Sequence, residues 1–268
     1  MPTATGPGLA IAYADDGAGP PVILVGGIAS SRTFWDPLLP HLAGFRLIRP
    51  DHRGSGSTRI IGSDDGDRTP QRFAADVMSL ADALDLQQFH LVGASMGGFI
   101  VQEAALRHPS RIRSLVIACS AHGGPTVTRP QRGVNGSLIR TLDPDAGTAE
   151  LEAGAAILFH PSTMQAHPDA VAWFMTGPGR TPHTPDEVAR RFAGMAAYDS
   201  TARLPALAVP TLVITGAEDR LVPPGNSESL AALIPDAQLE VVSGTAHLFH
   251  IERPQAVGGI LARFMTRH

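Results

Sequence analysis

The sequence contains no lysine, and all 21 of its basic residues are arginine. Chemistry that depends on a lysine amine is therefore excluded, including Schiff bases with carbonyl substrates or pyridoxal phosphate and the lysine of a Walker phosphate loop. Cysteine is almost absent as well. Cys119 is the only one, so no intramolecular disulfide can form, and its position in the apolar run SLVIACSA is typical of a small buried side chain.

An excess of one charge and long apolar segments are also missing. The net charge is −4 and is spread along the chain without runs, so nothing favours a nucleic-acid or membrane-surface partner. No segment approaches the length of a membrane span, and the first residues lack the basic start and apolar stretch of a signal peptide. We expect a soluble cytoplasmic protein that needs no cofactor, and the sequence leaves a homodimer open.

What the 268 residues do contain is a series of short apolar runs rich in β-branched residues, separated by helical patterns. Several runs are apolar nearly throughout, as strands buried on both faces of a parallel sheet are. The alternation of strands and helices predicts an α/β fold with a mostly parallel, doubly wound sheet. The predicted strands begin at Leu9, Pro21, Phe45, Phe89, Ile112, Pro210 and Gln238.

The alternation stops between about Ser120 and Leu204. That stretch is rich in Gly, Pro, Ala and Thr and contains helical patterns but no convincing strand. Because connections of that length without structure of their own are uncommon, we predict a helical cap over residues 121–204, inserted after the strand that ends near Cys119. Residues 1–120 and 205–268 would then form the core domain.

A glycine-flanked serine interrupts the apolar run HLVGASMGGFI. The segment from Gly93 to Gly97 fits the pattern G-x-S-x-G and falls where a strand ends and a helix begins, which is the position of a nucleophile elbow. The serine of such a turn has a strained backbone, and the residues two before and two after it must be tiny. The pattern predicts Ser95 as a nucleophile, whereas an ordinary strand-to-helix turn would explain the glycines alone.

A serine hydroxyl is a poor nucleophile until a base takes its proton and an acid orients that base. His247 follows the last predicted strand, which places it at the same sheet edge as Ser95. His250 is the rival base, although its position near the start of the closing helix indicates packing. The acid should follow the preceding strand, where Glu218 and Asp219 both occur. We favour Asp219, because the Arg-Leu-Val-Pro turn directly after it can anchor its carboxylate.

The other histidines carry less information. Several of them, including His52 and His183, lie beside glycines, prolines or charges, which is typical of solvated or locally hydrogen-bonded side chains. No further ligand cluster accompanies His247 and His250, so the sequence predicts no metal site.

Four segments together resemble the α/β-hydrolase superfamily over essentially the whole chain, with the closest likeness to 3-oxoadipate enol-lactonases and related small esterases. They are DHRGSGST at 51–58, LVGASMGG at 91–98, PTLVITGAEDRLVP at 210–223 and GTAHLFHIERP at 244–254. The resemblance implies an α/β-hydrolase fold and a small-molecule ester or lactone substrate, cleaved through an acyl-enzyme formed on Ser95 with His247 and Asp219.

The resemblance also implies an oxyanion hole made of backbone N–H groups, here those of Ile28 and Met96. The family usually has a histidine before the glycine of the loop after an early strand, whereas this chain has Gly26 and Gly27. A hole built from backbone groups tolerates that change, but a glycine pair loosens the loop.

The same residues indicate which other reactions of α/β-hydrolases this chain could catalyse. Haloalkane dehalogenases and epoxide hydrolases use an aspartate where this chain has Ser95. Carbon–carbon bond hydrolases usually carry a tryptophan after the catalytic histidine, where this chain has Leu248 and Phe249. A cofactor-free perhydrolase, a ligand-binding receptor and a non-hydrolytic catalyst of natural-product biosynthesis stay open as alternatives.

The cap is expected to roof the substrate pocket. An arginine there could meet a substrate carboxylate, while aromatic and aliphatic side chains could form the apolar wall. The candidate pocket residues are Phe34, Arg129, Arg132, Phe159, Trp173, Phe174 and Leu248.

Overall fold

The computed structural model describes every residue from Met1 to His268. At its centre is one nine-stranded sheet. Its strands are β1 (Thr3–Gly6), β2 (Leu9–Gly17), β3 (Pro21–Val25), β4 (Arg46–Pro50), β5 (Arg59–Ile60), β6 (Phe89–Ala94), β7 (Ile112–Ala118), β8 (Thr211–Gly216) and β9 (Gln238–Val242).

The sheet is mostly parallel, with strand order β1-β2-β4-β3-β6-β7-β8-β9 and β5 paired to β2. Only the pairings of β2 are antiparallel, and β3, β4 and β6 to β9 all run in the same direction. Every residue of β6 and of β8 is buried. Since successive side chains point to opposite faces, both faces of these strands are covered, and the predicted α/β fold class is confirmed.

Ten α-helices accompany the sheet, together with 3₁₀ helices at Arg32–His41, Pro109–Arg111 and Leu204–Ala206. None of the helices is both long and apolar enough to cross a membrane. The α-helices are α1 (Pro70–Ala83), α2 (Met96–Arg107), α3 (Val134–Leu142), α4 (Thr148–Leu158), α5 (Pro161–Ala166), α6 (Pro168–Met175), α7 (Pro185–Ala196), α8 (Gly225–Leu233), α9 (Phe249–Glu252) and α10 (Pro254–Thr266).

The long connection between β7 and β8 contains α3 to α7 and adds no strand to the sheet. This segment includes the residues predicted as the cap, 121–204. Side chains from it, such as Leu138, Leu158 and Phe174, belong to the same continuous cluster of 64 buried residues as the strands. The cap helices therefore pack directly against the α/β core, and their division from it as a separate domain stays a prediction.

The turn from β6 into α2 brings three backbone segments into close contact. Ser95 has φ 55° and ψ −118°, a conformation that residues with a side chain rarely adopt. A Cβ on Gly93 would lie 2.3 Å from the carbonyl oxygen of Gly97, and one on Gly97 would lie 2.3 Å from the carbonyl oxygen of Val25. The two glycines therefore permit the approach of three backbone segments, β3, β6 and α2, that bends the chain at Ser95.

We predict that Gly97→Ala lowers the free energy of unfolding by about 3 kcal/mol, because the new methyl group collides with backbone that cannot rotate away. The matched control is Gly136→Ala, since a Cβ at Gly136 in α3 meets only the guanidinium of Arg140 at 3.7 Å. That change should stabilise the protein by roughly 0.5 kcal/mol. Urea unfolding of both variants checks this, and a Gly97→Ala protein as stable as the wild type would contradict it.

Candidate active site

Ser95, Asp219 and His247 all lie beyond the carboxyl ends of parallel strands of the sheet. Ser95 directly follows β6, Asp219 lies three residues after β8 ends, and His247 lies five residues after β9 ends. Because parallel strands present their carboxyl ends at one sheet edge, three segments far apart in sequence meet there. The structure brings these three predicted residues to the same edge.

Asp219 and His247 form a buried pair. The Nδ1 atom of His247 lies 2.8 Å from Oδ2 of Asp219, and the two residues are 3% and 4% exposed. The other carboxylate oxygen of Asp219, Oδ1, accepts the N–H groups of Leu221 and Val222, each at 2.9 Å. A carboxylate fixed in this way accepts a hydrogen bond from the Nδ1–H group of His247. In the neutral imidazole, the proton therefore sits on Nδ1, and Nε2 is the nitrogen that can take up a proton.

The two rival residues have other partners. Glu218 is exposed, and its Oε2 accepts the backbone N–H of Thr245 at 3.1 Å. His250 is buried against Phe34 and Trp35, with ring centroids 4.4 and 5.1 Å away, and neither of its ring nitrogens has a hydrogen-bond partner. Burial lowers the pKa of His250 to about 3, so the ring is neutral and packs as an aromatic side chain.

Ser95 and His247 line one small cavity of about 40 Å³ together with Gly27 and Ile28. The rest of its wall is almost entirely apolar, with Ser30 as the one other polar side chain. Three of the predicted pocket residues line it. The cavity wall is completed by Ala29, Ser30, Phe34, Leu138, Leu142, Leu158, Phe174, Leu221 and Leu248.

The loop after β3 offers an unpaired donor to this cavity. The N–H of Ile28 donates to no acceptor within the protein. Met96 is the first residue of α2, where an N–H has no partner inside the helix.

A Cβ on Gly26 would lie 2.5 Å from the Cβ of Ser30. The space that a histidine would need at this position is thus filled by Ser30, which explains why the chain has a glycine there.

A second, larger cavity of about 260 Å³ also reaches Ser95 and Ile28. Its walls are largely apolar, with Phe99 and Phe192 among them, and its polar groups include Asn135, Asn226 and the exposed Arg129. Ser95 therefore stands between a small apolar compartment and a larger one that offers a guanidinium group.

Three predicted pocket residues lie in neither cavity. Arg132 is exposed to solvent. Phe159 is 1% exposed and packs edge-on against Phe174, with ring centroids 6.2 Å apart. The ring of Trp173 packs over Gly179, where a Cβ would lie 2.5 Å from it. Phe159 thus packs inside the cap, Trp173 is half-buried, and neither of them lines the two cavities that reach Ser95, nor does Arg132.

Four leucines of the small cavity were not predicted from the sequence: Leu138, Leu142, Leu158 and Leu221. A local signal existed for the first two, because Leu138 and Leu142 stand four residues apart in VNGSLIRTL and share one face of α3. Nothing local distinguishes Leu158 or Leu221 from other buried leucines.

Comparisons with known proteins agree with the α/β fold. A family model described as alpha/beta hydrolase fold matches residues 20–254. A protein of Azorhizobium caulinodans named as a carbamate hydrolase, RutD, is 30% identical over 273 residues, which cover 98% of each chain. Among solved structures, an esterase from Thermogutta terrifontis superposes with a TM-score of 0.82 at 29% identity, covering 99% of this chain and 96% of the other.

A second solved structure, the enol-lactonase from Burkholderia xenovorans LB400, superposes with a TM-score of 0.84 at 25% identity and covers 99% of this chain and all of the other. The similarity in fold therefore extends over nearly the entire chain. The family model alone spans far more than half of the residues. The chain belongs to the α/β-hydrolase family.

Proposed function

We propose that the protein is a serine hydrolase that cleaves a carboxylic ester or lactone through an acyl-enzyme. The observation that carries the proposal is the buried Asp219–His247 hydrogen bond of 2.8 Å beside a cavity that Ser95 also lines. A binding protein has no need of a fixed imidazole tautomer next to an elbow serine, whereas acyl transfer requires both.

In the first half-reaction, Ser95 Oγ attacks the carbonyl carbon while Nε2 of His247 takes the hydroxyl proton. Asp219 stabilises the imidazolium that forms, and the N–H groups of Ile28 and Met96 donate to the oxyanion. When the tetrahedral intermediate collapses, the bond from the carbonyl carbon to the leaving oxygen breaks, and the proton on His247 passes to that oxygen. The alcohol leaves and the acyl group stays on Ser95.

In the second half-reaction, His247 takes a proton from water, which attacks the acyl carbon. Collapse of this intermediate returns the proton to Ser95 Oγ and releases the carboxylic acid. A lactone follows the same steps, except that its leaving hydroxyl remains joined to the acyl group. Solvent supplies the water of the second half-reaction, and the other reacting groups of both half-reactions belong to the chain and the substrate.

The two compartments on either side of Ser95 favour a substrate whose two ends differ in size. The small apolar cavity has room for a group of only a few atoms, whereas the larger one accommodates an apolar body. Arg129 in the larger cavity favours a substrate that carries a carboxylate at the end remote from the scissile bond.

A carbamate is the second candidate substrate, because the relative from Azorhizobium caulinodans is named as a carbamate hydrolase. A carbamate presents the same kind of acyl carbonyl to a serine nucleophile. Steady-state rates on matched ester, lactone and carbamate substrates of equal chain length decide between them by kcat/KM.

We predict that Ser95→Ala abolishes labelling by a fluorophosphonate, detected by intact mass, and reduces turnover of p-nitrophenyl acetate by at least about 10³-fold. The reason is that the phosphonyl group can bond only to an activated hydroxyl. Ser110→Ala is the control, since Ser110 is exposed and lies before β7, at the opposite edge of the sheet. An unlabelled wild type, or label retained in Ser95→Ala, would rule out Ser95 as the nucleophile.

We predict that Asp219→Asn lowers kcat on the order of 10⁴-fold, because an amide at this position no longer enforces the tautomer with a basic Nε2. The matched control is Glu218→Gln, which changes the adjacent acid but keeps an acceptor for the N–H of Thr245. Its kcat should stay within threefold of the wild type. Equal losses in the two variants would contradict the assignment of Asp219.

We predict that Arg129→Met lowers kcat/KM about tenfold for the mono-p-nitrophenyl ester of glutaric acid and leaves p-nitrophenyl pentanoate unchanged. Only the first ester carries a carboxylate for the guanidinium to meet. Arg132→Met, which removes a nearby arginine that lies in neither cavity, is the control and should affect neither ester. Equal changes for both esters in Arg129→Met would show that Arg129 does not select an anionic end.

A further inference from the structure

A wholly buried arginine of the cap reaches the loop that carries the proposed oxyanion donor. Arg191 lies in α7 and its side chain is 0% exposed. Its Nη1 donates to the carbonyl oxygen of Ile28 at 2.6 Å and contacts Nε2 of His183 at 3.1 Å. Its Nη2 donates to the carbonyl oxygen of Arg53 and to Oγ of Ser55, each at 2.9 Å.

The remaining donor of Arg191, Nε, bonds to Oε1 of Glu187 at 2.7 Å. A guanidinium group has five N–H donors, and here each of the five has a partner. Burial lowers the pKa of His183 to about 3, with a further contribution from Arg191, so the ring is neutral and its Nε2 can accept. The arrangement therefore joins α7, the loop after β3 and the loop after β4 through one side chain.

The loop after β3 is anchored at four successive carbonyl groups, from Gly26 to Ala29. His52 lies with Nε2 2.9 Å from the carbonyl oxygen of Gly26, and Ser30 donates to that of Gly27 at 3.3 Å. Burial lowers the pKa of His52 to about 4, so at neutral pH it is a neutral donor. Thr181, in the cap, donates to the carbonyl oxygen of Ala29 at 2.7 Å. His52 and His183 are thus buried and hydrogen-bonded, so of the two expected environments, solvated or locally hydrogen-bonded, the solvated one is wrong for both.

These anchors bear directly on the donor of the proposed oxyanion hole. The N–H of Ile28 belongs to the peptide between Gly27 and Ile28. The peptides on either side of it present the carbonyl groups that His52 and Arg191 hold. Two adjacent glycines would otherwise leave this peptide free to rotate, because glycine has few forbidden backbone angles. With both flanking peptides fixed, the N–H of Ile28 can keep one direction before substrate arrives.

We infer that Arg191 is a positioning residue of the cap that holds the Ile28 peptide in the orientation needed to stabilise the oxyanion. This inference rests on the proposed serine hydrolase function. It assigns the cap a role in the chemical step in addition to covering the pocket. A loss of Arg191 should affect transition-state stabilisation, where the oxyanion exists, more than binding of the uncharged ground state.

The first test is Arg191→Met, with p-nitrophenyl acetate as the probe. We expect kcat to fall about 10²-fold while KM stays within threefold, since loss of one oxyanion donor costs on the order of 10²–10³ in kcat. The second-order rate constant of fluorophosphonate labelling should fall by a similar factor. An unchanged kcat, or a loss confined to KM, would overturn the inference.

Arg68→Met separates positioning from a general loss of packing. Arg68 is as buried as Arg191, at 2% exposure, and its Nε bonds to the same Glu187 at 2.8 Å, but it contacts no carbonyl of the loop after β3. We expect Arg68→Met to lower the thermal midpoint as Arg191→Met does, with kcat within threefold of the wild type. Equal losses of kcat in the two variants would show that any disturbance of α7 has this effect and would overturn the inference.

Arg191→Lys covers the case in which Arg191→Met does not fold. A lysine keeps the positive charge opposite Glu187 but has three donors on a single nitrogen and cannot span the same partners. We expect at least a tenfold loss of kcat from a folded protein, and full activity would overturn the inference. A wild type that a fluorophosphonate does not label would instead contradict the proposed function itself, so the two failures are distinguishable.

Discussion

The close approach of β3, β6 and α2 is the constraint on which the rest of the site depends. A Cβ at Gly97 would lie 2.3 Å from the carbonyl oxygen of Val25, so these backbones meet at a distance that no other residue permits. The contact bends the chain at Ser95 into a strained conformation and presents its hydroxyl at the sheet edge. It also sets the end of β3, and hence the start of the loop with Ile28, beside the serine. One packing contact thus places the proposed nucleophile and the proposed oxyanion donor together.

The polar groups at this edge are held in two different ways, some by contacts within their own turn and others by contacts with residues distant in sequence. Asp219 is fixed by the N–H groups of its own turn, at Leu221 and Val222, before it accepts from His247. The loop with Ile28 has no comparable set of internal contacts, since only Ser30 caps it from within. Its other anchors come from residues far along the chain. The acid is therefore oriented locally, whereas the proposed oxyanion donor depends on tertiary structure.

The same distinction between local and long-range contacts explains how much of the structure could be predicted from the sequence. The α/β fold, its parallel strands and the meeting of Ser95, Asp219 and His247 follow from patterns that are local or fixed by strand direction. The wall of the pocket does not, because whether Trp173 or Leu158 faces the cavity depends on how the cap helices rotate against one another. The burial of His52 and His183 could not be predicted for a related reason: their hydrogen-bond partners, the carbonyl of Gly26 and the hydroxyl of Ser55, lie 26 and 128 residues away in sequence.

Burying a charged side chain costs free energy unless all of its hydrogen-bond donors have partners. This cost raises the question of why an arginine occupies position 191. An apolar residue of similar volume could fill the space, but it would leave the carbonyl groups of Ile28 and Arg53 without partners. A lysine could neutralise Glu187 but has too few donors and no planar fork to bridge three segments. In a chain that has no lysine at all, the guanidinium group is the one cationic side chain that can link cap, loop and carboxylate at once. Under the proposed role of Arg191, the cap supplies the rigidity of the glycine loop, and the position of α7 becomes a condition for the chemistry at Ser95.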